Sequence, residues 1–145
     1  MSVWAQNQIV NLNPAGRSAV DRKDFADCPS AGIVLLAGMA DDEAGKLIRS
    51  REGRGGFPDR TSLAEYVERV RCGEVIVVPS APTAVSWEAA APVFDGQRLV
   101  AALSMNVPAS LGISEARGAA LLRRAAVGIS ATLGRQARQA AYVAR

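Results

Sequence analysis

Two short polar side chains, Ser104 and Asn106, follow an otherwise apolar run of sequence from Leu99 to Leu103. Their spacing of two residues directs both side chains to the same side of an extended strand. Serine carries a hydroxyl that donates and accepts hydrogen bonds, and asparagine carries two donors and an acceptor. Such groups at the end of a buried strand indicate a small-molecule pocket rather than a catalytic centre.

The chain contains no histidine, which excludes Ser-His-Asp and Cys-His catalysis and histidine-based metal sites. An enzyme would have to use another group, such as the Glu88 carboxylate acting as an acid or base beside Ser104. This is the least favoured of three functional hypotheses. We therefore predict no catalytic residue, no metal ligand and no cofactor.

The elements that must position Ser104 and Asn106 form a predicted β-hairpin. Ala89–Phe94 and Leu99–Leu103 are nearly continuous apolar runs, which is typical of strands covered on both faces. Asp95 and Gly96 supply the left-handed backbone of a short turn between them. Other patterns predict a strand or hairpin over Val3–Leu12, helices beginning near Pro29 and Asp41, a helix opened by the Ser62–Glu65 capping box, a strand over Val75–Val78, and a long helix capped by Ser114. This order predicts an α+β domain with one antiparallel sheet flanked by helices.

Composition limits the chain to one domain. It has 145 residues, of which 49% are hydrophobic, and a formal net charge of +3. No run approaches the ~20 apolar residues of a membrane span, and Met1–Leu12 is unlike a signal peptide. The two cysteines, Cys28 and Cys72, are interpreted as packing residues in a reducing compartment. We expect a cytoplasmic protein with no membrane contact, whose arginine-rich C-terminal helix presents a solvated face rather than a DNA-binding one.

The hairpin and the helix after it resemble the C-terminal effector-binding domain of the IclR family of bacterial transcription regulators. The segments that carry the resemblance occur in the family's order and are Ala89–Asp95, Val100–Ser104, Asn106–Pro108 and Ile129–Gly134, with a weaker match at Ser30–Ala37. The resemblance implies a GAF-like fold. It also implies that residues 1–145 form a single effector-binding domain that is shortened at its N-terminal side.

The resemblance further implies a ligand site between the start of an early helix and the end of the hairpin. The residues that it implicates are Ser30, Ala31, Gly32, Trp87, Glu88, Ser104 and Asn106. Backbone N–H groups at the helix start suit a carboxylate. Glu88 departs from the family pattern, and its charge would repel an anionic effector unless it were neutralised or turned outward. Trp87 departs as well, and it either narrows the pocket, stacks on a planar ligand, or is an ordinary core aromatic.

Members of the family join this domain to a winged helix-turn-helix domain, whose helices and basic recognition face have no counterpart before Ser30. We therefore expect no DNA-binding domain in this chain, DNA contact only through a missing N-terminal domain, and self-association as a dimer or tetramer. The leading interpretation is a sensor whose small-molecule effector is an organic or aromatic acid. The alternative is an oligomerisation domain, derived from such a sensor, that has lost its effector.

Overall fold

The computed structural model describes residues 2–5, 8–11, 20–21, 29–51, 60–79 and 86–143, and the side chains of 29–49, 61–78 and 86–136. The strands are β1 (Ser2–Ala5), β2 (Gln8–Asn11), β3 (Val20–Asp21), β4 (Ile76–Pro79), β5 (Ser86–Asp95) and β6 (Arg98–Pro108). The helices are α1 (Pro29–Ala37), α2 (Asp41–Arg51), α3 (Arg60–Arg71) and α4 (Glu115–Val143), with a short 3-10 helix at Ala109–Leu111 before α4.

The strands form one six-stranded sheet in the order β3-β2-β1-β6-β5-β4, and each pair of neighbours is antiparallel. The predicted hairpin, called the central hairpin below, consists of the two adjacent inner strands β6 and β5, and Gly96 in its turn has a φ of +62°. Both hairpin strands are longer than predicted, because their ladder continues to the pair Ser86 and Pro108. Ser104 and Asn106 consequently lie within β6, in the C-terminal half of the strand.

Either a strand or a hairpin was expected over Val3–Leu12, and the segment forms the β1–β2 hairpin. β1 adds to the free edge of the central hairpin and places Ser2 opposite Ser104. The alternating charges of Arg17–Asp27 predict an exposed loop, but two of its residues form the short strand β3, which pairs with β2. The rest of that segment is outside the described residues.

Helices cover both faces of the sheet, which confirms the predicted α+β class. On one face, α1, α2 and α3 pack on a cluster that includes Ile76, Val78, Ala90 and Ala102. On the other face, α4 packs Leu122 and Ala126 against Ala89, Ala91 and Leu103. Burial on both sides explains why the two hairpin strands are nearly continuous apolar runs.

Three local predictions had different outcomes. α3 begins at Arg60, two residues before the proposed capping box, so the prediction that Ser62 opens the helix is wrong. Ser114 does cap α4, because its hydroxyl accepts a hydrogen bond of 3.3 Å from the N–H of Arg117. Cys72 is exposed and is not a packing residue, while Cys28 lies outside the described residues. Among the described helices, none is long and apolar enough to span a membrane.

Candidate ligand-binding site

The first turn of α1 meets a buried carboxylate from the central hairpin. Pro29 begins the helix and has no N–H, so the N–H of Ser30 is the first donor that the helix offers. It donates a hydrogen bond of 2.8 Å to Oε1 of Glu88. Ser30 is 0% exposed and Glu88 is 5% exposed. The partial positive charge at the helix N-terminus and this charged hydrogen bond together stabilise a carboxylate that is otherwise costly to bury.

The alternation of β5 turns Glu88 toward α1. Side chains two residues apart on a strand share a face, and Ala90 belongs to the cluster under α1. Across the ladder, Glu88 lies directly between Val78 of β4 and Asn106 of β6. The carboxylate is therefore turned inward. An anionic effector would require Glu88 to be either neutralised or turned outward, and the second of these is not the case.

Ser104 and Asn106 lie on this same face of the sheet. The ladder sets Asn106 directly opposite Glu88 and Ser104 opposite Ala90, and residues directly opposite one another share a face. Ser104 is buried, with 3% exposure, whereas Asn106 is exposed. The polar groups thus run from the buried first turn of α1, past Glu88, to solvent at Asn106.

Of the predicted site residues, Trp87 alone is not brought to this face. Its register partner is Val107, and its ring packs beside Gly118 of α4 and Met105 on the opposite side of the sheet. This is the packing of an ordinary core aromatic. Ala31 and Gly32 are buried in the first turns of α1, and Ala31 contributes to the apolar cluster under that helix.

The site presents groups that can form hydrogen bonds. Its polar groups are a carboxylate, a hydroxyl and an amide, together with backbone N–H groups of α1. Within the described residues, no group of three or more cysteine, aspartate or glutamate side chains is placed to hold a metal ion. What the arrangement does provide is an ordered series of donors and acceptors beside an apolar helix–sheet interface, which suits a small organic ligand.

The sequence indicates Glu88 as a site residue but not its contact with Ser30. The sequence does indicate the face of β5 on which Glu88 lies, because Glu88 is two residues before the buried Ala90. The position of Ser2 opposite Ser104 had no such signal, since it depends on the pairing of β1 with β6 across about a hundred residues.

No family model matches the sequence, and no curated protein matches it. Solved structures do match. An IclR homolog from Microbacterium hydrocarbonoxydans, solved with 4-hydroxybenzoate, superposes with a TM-score of 0.65 at 24% identity over 91% of this chain and 58% of that one. The C-terminal domain of the Escherichia coli regulator KdgR gives a TM-score of 0.62 at 24% identity over 92% of this chain and 85% of that domain.

A third match is the inducer-binding domain of the transcription factor PobR from Acinetobacter, solved as a double mutant with 3-hydroxybenzoic acid. It gives a TM-score of 0.63 at 17% identity over 89% of this chain and 85% of that one. The chain spans only about three fifths of the longer regulators that it matches, 59% of one from Rhodococcus. At these identities the likeness establishes the architecture, and the resemblance noted in the sequence is borne out at that level: the chain has the fold of the C-terminal effector-binding domain of IclR-type transcriptional regulators.

Proposed function

We propose that this chain is a ligand-sensing domain that binds a small organic molecule between the first turn of α1 and strands β5 and β6. Binding would shift the packing of α1 on the sheet, and that shift would control a DNA-binding domain attached to the chain. Ligand binding needs to favour only one of two arrangements for such control. Neither bond making nor bond breaking in the ligand is required.

The observation that carries this proposal is the placement of Ser30, Glu88, Ser104 and Asn106 on one side of the sheet. These residues come from three elements, α1, β5 and β6, and the Ser30–Glu88 hydrogen bond joins α1 to the hairpin. Structural neighbours solved with 4-hydroxybenzoate and 3-hydroxybenzoic acid support a ligand of aromatic-acid size. The first compounds to test are therefore organic and aromatic acids, each compared with the corresponding uncharged amide.

Thermal unfolding of the native chain across this panel tests the proposal. A ligand that binds the folded state raises the midpoint temperature in a saturable manner. The double variant Ser104→Ala, Asn106→Ala should weaken the response to whichever compound stabilises the native chain. The variant Ser110→Ala, at an exposed residue of the 3-10 helix after β6, serves as the control. If no compound of the panel stabilises the native chain saturably, the proposal is refuted.

Two observations favour a second candidate function, an oligomerisation domain without an effector. The Glu88 carboxylate fills by itself the place at α1 where a ligand carboxylate was expected. In addition, α4 exposes apolar side chains, with Leu121 55% and Val127 62% accessible. Sedimentation equilibrium of the native chain and of Val127→Glu separates the candidates. A native oligomer that Val127→Glu dissociates, together with no response to the panel, would favour this second function.

A further inference from the structure

The positive charge of the chain is concentrated on α4. From Glu115 to Val143 the helix carries five arginines and one glutamate, a net charge of +4, while the whole chain carries only +3. The sheet covers one side of the helix, on which Gly118, Leu122 and Ala126 are buried at intervals of four residues. The opposite side, called the outer side of α4 below, is exposed and basic.

Three arginines of the outer side, Arg117, Arg124 and Arg135, lie on one line along the helix. Their separations of seven and eleven residues are close to two and three helical turns, so the three side chains leave the helix in nearly the same direction. The line extends over about 27 Å at 1.5 Å per residue. All three are exposed, and among the described residues no carboxylate forms a salt bridge with them. Their guanidinium groups are therefore open to an anionic partner.

Apolar side chains flank this line of arginines. At 100° per residue, Leu121 lies on one side of the line and Val127 on the other. Each of them is more than half exposed. A partner that covers the arginines therefore also buries these two side chains, and it must offer apolar groups as well as negative charge.

Two kinds of occupant fit the outer side poorly. The backbone of a nucleic acid offers phosphates to the arginines but little apolar surface to Leu121 and Val127. A second copy of α4 sets like charges against each other. In a parallel pair each arginine lies opposite its twin, and in an antiparallel pair centred on Ala126 the residue opposite Arg117 is Arg135.

We propose that the outer side of α4 is a docking surface for an acidic amphipathic helix of a partner protein. Carboxylates at intervals of about seven residues on that helix pair with Arg117 and Arg124, and its aliphatic side chains pack on Leu121 and Val127. The inference goes beyond ligand sensing and does not depend on it. It gives the domain a protein-binding surface on the side of the sheet that faces away from Ser30 and Glu88.

A synthetic peptide tests this docking surface. The probe is a fluorescein-labelled peptide of three repeats of Glu-Ala-Gln-Leu-Leu-Gln-Ala, and fluorescence anisotropy measures its Kd. We expect the native chain to bind it at least about tenfold more tightly than the same peptide with glutamine for glutamate. The double variant Arg117→Gln, Arg124→Gln should lose that preference. The matched control Lys46→Gln, Arg49→Gln removes the same charge from exposed residues of α2 and should retain it.

Reversing the charges adds a gain of binding to these losses. The double variant Arg117→Glu, Arg124→Glu should reject the acidic peptide and bind the version with lysine for glutamate. Failure of the native chain to bind the acidic peptide would overturn the proposal, and so would equal losses in the α4 variant and the α2 control.

The variant Leu121→Ala distinguishes a protein partner from a nucleic acid. It should weaken binding of the acidic peptide about fivefold, because an apolar contact is lost. A short DNA duplex that binds more tightly than the peptide, with an affinity that Leu121→Ala leaves unchanged, would assign the outer side to nucleic acid and overturn the proposal. Sedimentation equilibrium without peptide covers self-association. A native oligomer that Leu121→Glu dissociates would show that a second copy occupies the outer side, and the proposal would fall.

Discussion

Trp87 of β5 lies directly across Gly118 of α4, so closely that glycine is the only residue that fits. A Cβ atom built on Gly118 would overlap Cη2 of the indole and lie 3.0 Å from its Cζ2 and 3.1 Å from Cε of Met105. The close approach lets the first turns of α4 rest on the aromatic ring. It also fixes Trp87 on the face of the sheet away from Glu88.

Gly118→Ala should therefore destabilise the domain. The added methyl group forces the indole out of its position, and overpacking of this kind costs about 1–3 kcal/mol in the free energy of unfolding. Gly128→Ala is the matched control, because a Cβ at Gly128 meets nothing within 4 Å. There the better helix propensity of alanine should stabilise by up to about 1 kcal/mol. Urea unfolding followed by Trp fluorescence measures both changes, and a gain of stability in Gly118→Ala would contradict the packing described.

Ser130 connects the middle of α4 to an irregularity in the central hairpin. The ladder shifts register between Val93 and Phe94, and the Phe94 N–H is bonded to Oγ of Ser130 at 2.9 Å. The Ser130 hydroxyl in turn donates to the carbonyl of Ala126 at 2.8 Å. Ser130→Ala leaves the Phe94 N–H without this acceptor, and we expect a loss of about 1–2 kcal/mol.

Thr132→Ala is the control for Ser130→Ala, since the Thr132 hydroxyl also donates to its own helix, to Gly128 at 3.0 Å, but is exposed and has no strand partner. Its effect on the free energy of unfolding should be smaller. Hydrogen exchange provides a local measurement. The exchange rate of the Phe94 amide should rise in Ser130→Ala and should equal the native rate in Thr132→Ala. Equal protection of Phe94 in both variants would rule out the proposed connection.

Arg71 joins the three helices on the other face of the sheet. Its guanidinium donates to Asp41 at 2.6 Å, to Glu68 at 2.9 Å and to the carbonyl of Ala37 at 3.3 Å. The hydrogen bond to Asp41 is the main cause that raises the pKa of Arg71, with burial acting in the opposite direction. A raised pKa of a base stabilises the fold at every pH below the unfolded value, so this contribution is constant through neutral pH.

We expect Arg71→Gln to lower the free energy of unfolding by about 1 kcal/mol, because Asp41 is largely exposed and solvent screens the pair. Varying the salt concentration is therefore a sharper test than varying the pH. The difference between the native chain and Arg71→Gln should shrink in 1 M sodium chloride, in which the Debye length falls to about 3 Å. Arg123→Gln, at an exposed position of α4, is the control and should show no salt-dependent difference. A salt-independent loss in Arg71→Gln would assign the effect to the Ala37 bond and to packing.

Asn106 is expected to affect binding as a single residue. It is the exposed end of the polar series, directly opposite Glu88. If a ligand reaches it, Asn106→Ala should weaken the affinity about tenfold through loss of a hydrogen bond. Titration calorimetry with the best compound of the panel gives the measurement. An affinity equal to that of the native chain would remove Asn106 from the site.

The parts of the fold that the sequence predicts are those encoded locally. The apolar runs with Asp95 and Gly96 indicate the central hairpin, and Ser114 marks the start of α4. The strand lengths were underestimated, because polar residues such as Ser104 and Glu88 interrupt the apolar pattern while the backbone ladder continues. The side of the sheet on which Trp87 lies follows from its register with Val107. The residue type alone does not indicate that side.

The candidate site was predictable in its residues but not in its internal pairing. The two-residue spacing of Ser104 and Asn106 sets them on one side of β6, and the ladder bears this out. That Glu88 is bonded to Ser30, 58 residues earlier in the chain, depends on how α1 packs on the sheet. Such a contact arises from tertiary packing, which the spacing of residues in the sequence does not encode.

The position of β6 between β1 and β5 has a consequence for biosynthesis. Of the described strands, β1 is translated first, and yet one of its two neighbours, β6, is translated last. Until the ribosome has released residues 98–108, one edge of β1 has none of its native backbone partners. An unpaired edge is a template for association with other chains, and late-forming contacts are slow to close. The β1–β2 ribbon therefore spends part of synthesis with an edge that other chains can pair with.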